Sequence, residues 1–302
     1  MHNPIPRFCR SLVSLAAIAA LTLSPAYALD QQELLSPFDP DLPSIWVDRI
    51  IQLLSPYQAL ENSSLELEER YRAWAEANPQ LSQQQVVLEV NIGLDKEFYE
   101  DTDLVSQPES LTALVNKYHA LPRDYVPELE ALGYPYGTGS LRPEAAEAFR
   151  AMADAAREDG IWLQSVSAYR SYERQESIYA RYLSQDTQAS VDSYSARPGY
   201  SEHQTALALD INTASLSAHF ENTPAYAWLT EHCAEHGFIL RYPQGKEDIT
   251  GYRFEPWHYR YVGVEAAQAC MSQDLTFEEY LALQPTDKTP SSTGPVEGLP
   301  FI

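Results

Sequence analysis

The chain has 302 residues, a formal charge of −23 and a hydrophobic content of 44% that is rich in tyrosine. That content is enough for a sizeable core. The acidity speaks against nucleic-acid binding, which favours a basic surface, and against simple attraction to anionic polymers or lipid.

In chain order, residues 1–28 carry Arg7 and Arg10, an apolar stretch over 12–23, and Ala26-Tyr27-Ala28 as a cleavage signal. This pattern predicts a signal peptide and an exported protein of the cell envelope, periplasmic or extracellular. The apolar stretch falls short of the ~20 residues of a membrane span, although an uncleaved anchor stays open as the alternative. No later segment is apolar enough to cross a bilayer. Cleavage takes the net charge from −23 to −25 and removes Cys9, leaving Cys233 and Cys270. A disulfide and two buried thiols are both open for that pair.

Residues 29–105 read as a helical N-terminal extension and lead-in. Trp46, Ile50, Ile51 and Leu54 have helical spacing, as do Leu65, Tyr71 and Trp74 in a Glu-rich setting. A main domain follows over 106–284. A helix is predicted over 143–159, where Ala145, Phe149, Met152 and Ala156 form one stripe. A strand over 162–167 and a helix over 173–183 come next. Further on, Leu207, Leu209 and Ile211 alternate with Ala208, Asp210 and Asn212, the period of a half-buried strand, so Asp210 projects from the small, polar face. A helix over 225–236, a strand over 238–242 and a helix over 263–273 complete the domain. Residues 285–302 are rich in Pro, Ser, Thr and Gly and read as a flexible tail. The fold class is α+β, a small antiparallel sheet flanked by helices, with no internal repeat.

One polar constellation carries chemistry. His203 and Asp210 stand seven residues apart, and Glu255 stands three residues before His258. Two imidazoles and one carboxylate supply three N/O ligands to Zn²⁺ and leave a fourth position open for water. The remaining carboxylate, Glu255, is free to take a proton from that water. Glu255 and His258 would face opposite ways on a straight strand, so Pro256 is expected to create a turn that re-aims both. A lone His or Asp is more often an unconnected surface residue. His232 and His236, four apart without an intervening Glu motif, read as ordinary helix residues, and His119 and His219 belong to no constellation.

The segments around this constellation decide between the readings. Ser167-Ala168-Tyr169-Arg170-Ser171-Tyr172-Glu173-Arg174-Gln175, Ala196-Arg197-Pro198-Gly199-Tyr200-Ser201-Glu202-His203-Gln204-Thr205, Gly237-Phe238-Ile239-Leu240-Arg241-Tyr242-Pro243 and Glu255-Pro256-Trp257-His258-Tyr259-Arg260-Tyr261-Val262-Gly263 resemble the VanY-type D-alanyl-D-alanine carboxypeptidases. These are zinc peptidases with a hedgehog-like fold. The resemblance runs from about residue 85 to about residue 283, with several long motifs in the right order.

The resemblance implies one zinc per chain, bound by His203, Asp210 and His258, with Glu255 as general base. It implies that Arg170 neutralises charge on the scissile carbonyl oxygen, and that Ser201 and Gln175 hydrogen-bond the substrate's C-terminal residue. Tyr200 and Trp257 flank the presumed ligands and are candidates to line the cleft, whereas Tyr172 reads as core. The substrate implied is the peptidoglycan stem peptide, from which the terminal D-alanine is removed. An L,D-carboxypeptidase, a D,D-dipeptidase and a non-catalytic wall-binding module on the same scaffold stay open. Ala206 departs from the family pattern, which usually has Gly there. On the strand phase its methyl shares a face with Ala208 and Asp210, and the sign of its φ decides whether Ala is strained.

Overall fold

The computed structural model describes residues 55–286. The predicted signal peptide and the Trp46 segment lie outside the described residues, as does the tail from residue 287. Two compact units are distinguished, and within the described residues they comprise 55–91 with 284–286, and Ile92–Leu283.

The first unit is built on α1 (Glu68–Ala77) and α2 (Gln83–Ile92). Tyr57, Tyr71, Val86, Val87 and Val90 form its core. The Tyr71 hydroxyl donates to Asn91 at 2.7 Å. The Leu65–Tyr71–Trp74 spacing thus corresponds to an α1 that starts at Glu68, with Tyr71 fully buried.

In the second unit, short pairings precede the main sheet. β1 (Asp103–Leu104) runs parallel to β2 (His119–Ala120), and β3 (Glu130–Ala131) runs antiparallel to β4 (Ser140–Leu141). Two-residue strands have no readable alternation, which is why periodicity did not anticipate them. α3 (Pro143–Glu158) starts with Pro at its first turn and is followed by Asp159 as its C-cap, with Ala145, Phe149, Met152 and Ala156 buried along one stripe as the spacing predicts. The remaining elements are β5 (Gln164–Ser167), α4 (Tyr172–Leu183), α5 (Gln188–Asp192), β6 (Ala208–Asn212), α6 (Pro224–His232), β7 (Phe238–Leu240), α7 (Glu247–Thr250), β8 (His258–Tyr261), α8 (Val264–Ser272) and α9 (Phe277–Ala282). The expected helix over 225–236 is α6 followed by a 3-10 turn, Cys233–His236.

Four strands form one antiparallel sheet in the order β5-β6-β8-β7. Its inner face places Leu209, Ile211, Phe238 and Tyr259 in one cluster with the α3 stripe. Because side chains alternate along a strand, the neighbours Asp210, His258 and Arg260 occupy the opposite face. Cys233 and Cys270 are free, buried thiols, and Cys233 belongs to the main core while Cys270 belongs to a satellite cluster with Ile239, Val262 and Phe277. No helix among the described residues is long and apolar enough to cross a membrane.

Candidate active site

The site lies on the outer face of the sheet, where β6 and β8 run side by side. Asp210 and His258 are register partners on these strands, and the Asp210 Oδ1 lies 3.3 Å from the His258 Nδ1. His203 arrives from a 3-10 turn, Glu202–Thr205, just before β6. Ala206 ends that turn with φ 53 and ψ 22, in the left-handed region. It therefore stands outside the strand, and the strand-phase expectation for its methyl is corrected: one residue of positive φ redirects the chain so that His203 folds back over β6. The His203 Nε2 comes within 3.4 Å of the same Asp210 oxygen.

The ring nitrogens are already sorted. The His203 Nδ1 is 2.7 Å from the Ala168 carbonyl, so it carries the proton and leaves Nε2 with a lone pair. The His258 Nε2 faces a Glu202 carboxylate oxygen at 3.4 Å, which leaves Nδ1 directed at Asp210. The buried Asp210 Oδ1 has no aligned hydrogen-bond donor. One ring nitrogen from each of His203 and His258 and one Asp210 oxygen thus lie within 4.8 Å of one another. A cation that takes the place of the His258 proton satisfies all three atoms at once, and this N/N/O set suits zinc.

Glu255 reaches the same place through a turn. The His258 amide donates to the Glu255 carbonyl at 3.2 Å, with Pro256 and Trp257 between them, and the Glu255 carboxylate lies 3.8 Å from the His258 Nδ1. Burial raises the Glu255 carboxyl to about 7; Asp210 adds to the rise, while His258 and Arg170 oppose it. Burial would lower His258, but the Asp210 and Glu202 carboxylates on either side outweigh it and lift the imidazole to about 9. Burial lowers His203. Asp210 is held well below the carboxylate range because its two imidazole neighbours overcome the opposing effect of burial.

Arg170 borders the site from the segment between β5 and α4. Its guanidinium donates to the Gln175 side-chain oxygen at 2.7 Å and to the Ser167 hydroxyl at 3.1 Å, and it stands 3.9 Å from the Asp210 Oδ2. A cavity of about 390 Å³ opens over these groups, with Arg170, Ser201, His203, Asp210, Glu255, Trp257 and His258 in its wall. Two residues expected to contact substrate have other partners. Gln175 is buried, and its amide nitrogen donates to the Ala196 carbonyl at 2.7 Å, so both ends of the amide are taken by the protein. The Tyr200 hydroxyl donates to Thr102 at 3.1 Å, its ring packs edge-on against Tyr99, and it does not line the cavity. Tyr200 follows the Pro198-Gly199 turn, and its side chain goes to Tyr99 and Thr102 rather than into the cavity.

Glu202 was not singled out from the sequence. It is fully buried, and its Oε1 accepts from the Arg241 Nε at 2.8 Å and an Arg260 amino group at 3.1 Å. Those two guanidinium groups outweigh burial and hold its carboxyl far below the usual range. A signal was present: Arg241 and Arg260 interrupt otherwise apolar and aromatic strand segments, and an arginine buried in a sheet needs a buried acid.

Comparison with known proteins identifies the family. Residues 138–264 match the family VanY, D-alanyl-D-alanine carboxypeptidase. The chain is similar to YodJ of Bacillus subtilis, with 42% identity over 189 residues that cover 59% of this chain and 69% of the relative. Among solved structures it is similar to the LD-carboxypeptidase LdcB, with a TM-score of 0.57 and 41% identity, covering 62% of this chain and 92% of that one. It is also similar to a variant of the vancomycin-resistance D,D-pentapeptidase VanY in complex with Zn(II), with a TM-score of 0.50 and 38% identity, covering 57% of this chain and 99% of that one. The chain belongs to the VanY D-alanyl-D-alanine carboxypeptidase family of metallo-carboxypeptidases.

Proposed function

We propose that the protein is a zinc-dependent D-alanyl-D-alanine carboxypeptidase that removes the terminal D-alanine from peptidoglycan stem peptides in the cell envelope. The observation that carries this reading is the convergence of His203, Asp210 and His258 with Glu255 beside them at one cavity. In this reading the three converging residues hold one zinc ion per chain. Bound zinc supplies Lewis-acid polarisation of the carbonyl and lowers the pKa of water.

The chain's own residues do the rest. Glu255, with its carboxyl near 7, is matched to take a proton from the attacking water and to return it to the leaving amine of D-alanine. Arg170 faces the cavity with its planar guanidinium fixed by Gln175 and Ser167. Its charge stabilises the oxygen of the scissile carbonyl as that oxygen becomes negative. Ser201 offers a hydroxyl in the cavity wall for the substrate's C-terminal residue, and Trp257, about one-third exposed, supplies an apolar side. Gln175 acts through Arg170 rather than on the substrate.

The likeness to LdcB favours a second reading, an L,D-carboxypeptidase acting on tetrapeptide stems. Digestion of purified muropeptides by the zinc-loaded protein separates the two. Consumption of pentapeptide with release of one D-alanine is the expected result. Consumption of tetrapeptide alone would establish the second reading, and consumption of neither would overturn the carboxypeptidase assignment.

A further inference from the structure

Behind His258 lies a chain of buried charges that reaches the last described helix. Glu202, Arg241, Arg260 and Glu278 are all within 2% of complete burial. The Arg241 guanidinium uses every donor edge: Nε donates to Glu202 at 2.8 Å, while its two amino groups grip the Glu278 carboxylate at 2.9 and 2.6 Å. Glu278 also accepts from the Asn116 amide at 3.3 Å. Arg260 bonds Glu202 at 3.1 Å and the carbonyls of Leu111 and Ala113 at 3.1 and 3.0 Å.

Four buried charges are an expensive way to hold helices to a sheet, because well-packed apolar side chains do that equally well without desolvation. The division of labour on Glu202 indicates another use. Both arginines take Oε1, which leaves Oε2 for the His258 Nε2. An imidazole whose Nε2 is committed to a carboxylate presents Nδ1 as its lone-pair atom, and outer partners of this kind orient a ligand and raise its basicity.

We propose that Glu202 is a positioning residue that fixes the ring of His258 for metal binding, and that Glu278 on α9, through Arg241, is the second link of the same device. The last helix of the unit is then part of the metal site's support. This inference rests on the zinc reading above, and its test keeps the two separable.

The experiment measures zinc affinity on the full chain by competition with a chromophoric chelator, and the visible spectrum of the Co²⁺-substituted protein. Glu202→Gln keeps the shape but removes the charge, and its zinc affinity is expected to fall by about 10- to 100-fold with altered Co²⁺ bands. Glu278→Gln touches neither imidazole and is expected to weaken zinc in the same direction by a smaller factor. Leu163→Ala, a core truncation outside the network, is expected to lower the melting temperature with zinc affinity unchanged. The proposal is overturned if Glu202→Gln binds zinc within about twofold of wild type rather than losing the 10- to 100-fold typical of such partners, or if Leu163→Ala loses as much affinity. Should Glu202→Gln fail to fold, Glu278→Gln decides, and wild-type affinity in that variant overturns it. A wild-type protein that takes up no zinc overturns the zinc reading itself, and this proposal with it.

Discussion

Asp210 and His258 stand directly opposite each other on adjacent antiparallel strands, with a carboxylate oxygen 3.3 Å from a ring nitrogen. The sheet register therefore sets half of the candidate metal site, and only His203 has to be delivered from outside the ladder. One zinc per chain is expected by elemental analysis of protein purified in zinc-replete buffer. His203→Ala is expected to lose both metal and activity. Full zinc occupancy in that variant would remove His203 from the site.

Glu255 touches the same cavity without joining the trio of converging ligand atoms. Glu255→Gln keeps its size and cannot accept a proton, so turnover is expected to fall by at least ~100-fold, the scale of general-base loss. Zinc content is expected to stay at the wild-type level. Near-normal turnover would mean that another group activates the water.

Arg170 is held by two side chains at once, Gln175 and Ser167. Lysine keeps the charge but cannot reproduce a planar fork. Arg170→Lys is expected to lower kcat more than it raises KM, because the interaction strengthens as charge develops on the carbonyl oxygen. A raised KM with unchanged kcat would instead assign Arg170 to binding the substrate carboxylate.

Much of this arrangement was legible in the sequence, for reasons that can be stated residue by residue. The α3 stripe and the alternation around Asp210 are periodic signals, and both describe burial that the structure contains. The turn at Pro256 followed from geometry, since a Glu and a His three apart cannot share a face of a straight strand. What stayed hidden depends on non-periodic backbone. The positive φ of Ala206 moves His203 back over β6, and the sequence left the sign of that φ open. Gln175 was assigned by resemblance and Tyr200 by its place beside His203, yet their partners come from the 195–196 segment and from Thr102. Glu202 escaped notice because its partners, Arg241 just after β7 and Arg260 in β8, lie far along the chain.

The raised pKa of His258 predicts how the metal-free protein responds to pH. Its folded value of about 9 lies above the ordinary 6.5. The folded state therefore binds the proton more tightly, and the resulting stability is fully present below pH 6.5 and lost as pH rises through 9. Chemical denaturation of metal-free protein is expected to show falling stability across that window, and His258→Gln to flatten the fall. Zinc-loaded protein is expected to behave oppositely, since metal binding requires the neutral ring. Metal-free stability that is constant or rises from pH 6.5 to 9, with no difference in His258→Gln, would show that the carboxylates do not hold that proton.

Ala206 provides an internal test of backbone strain, with Ala208 two residues on as its control. Both methyls are completely buried, but Ala206 has φ 53 while Ala208 lies in β6. Replacing either by Gly removes a buried methyl worth about 0.8 kcal/mol and adds unfolded-chain freedom worth about 0.4–1 kcal/mol. Ala208→Gly is therefore expected to destabilise by about 1–2 kcal/mol on those two contributions. Only at Ala206 does the substitution also remove the Cβ–carbonyl crowding of the left-handed region, about 1–2 kcal/mol. The two effects nearly cancel there, so Ala206→Gly is expected to melt at or slightly above the wild-type temperature with zinc binding intact. Equal destabilisation by the two variants would mean that the left-handed turn beside His203 carries no strain.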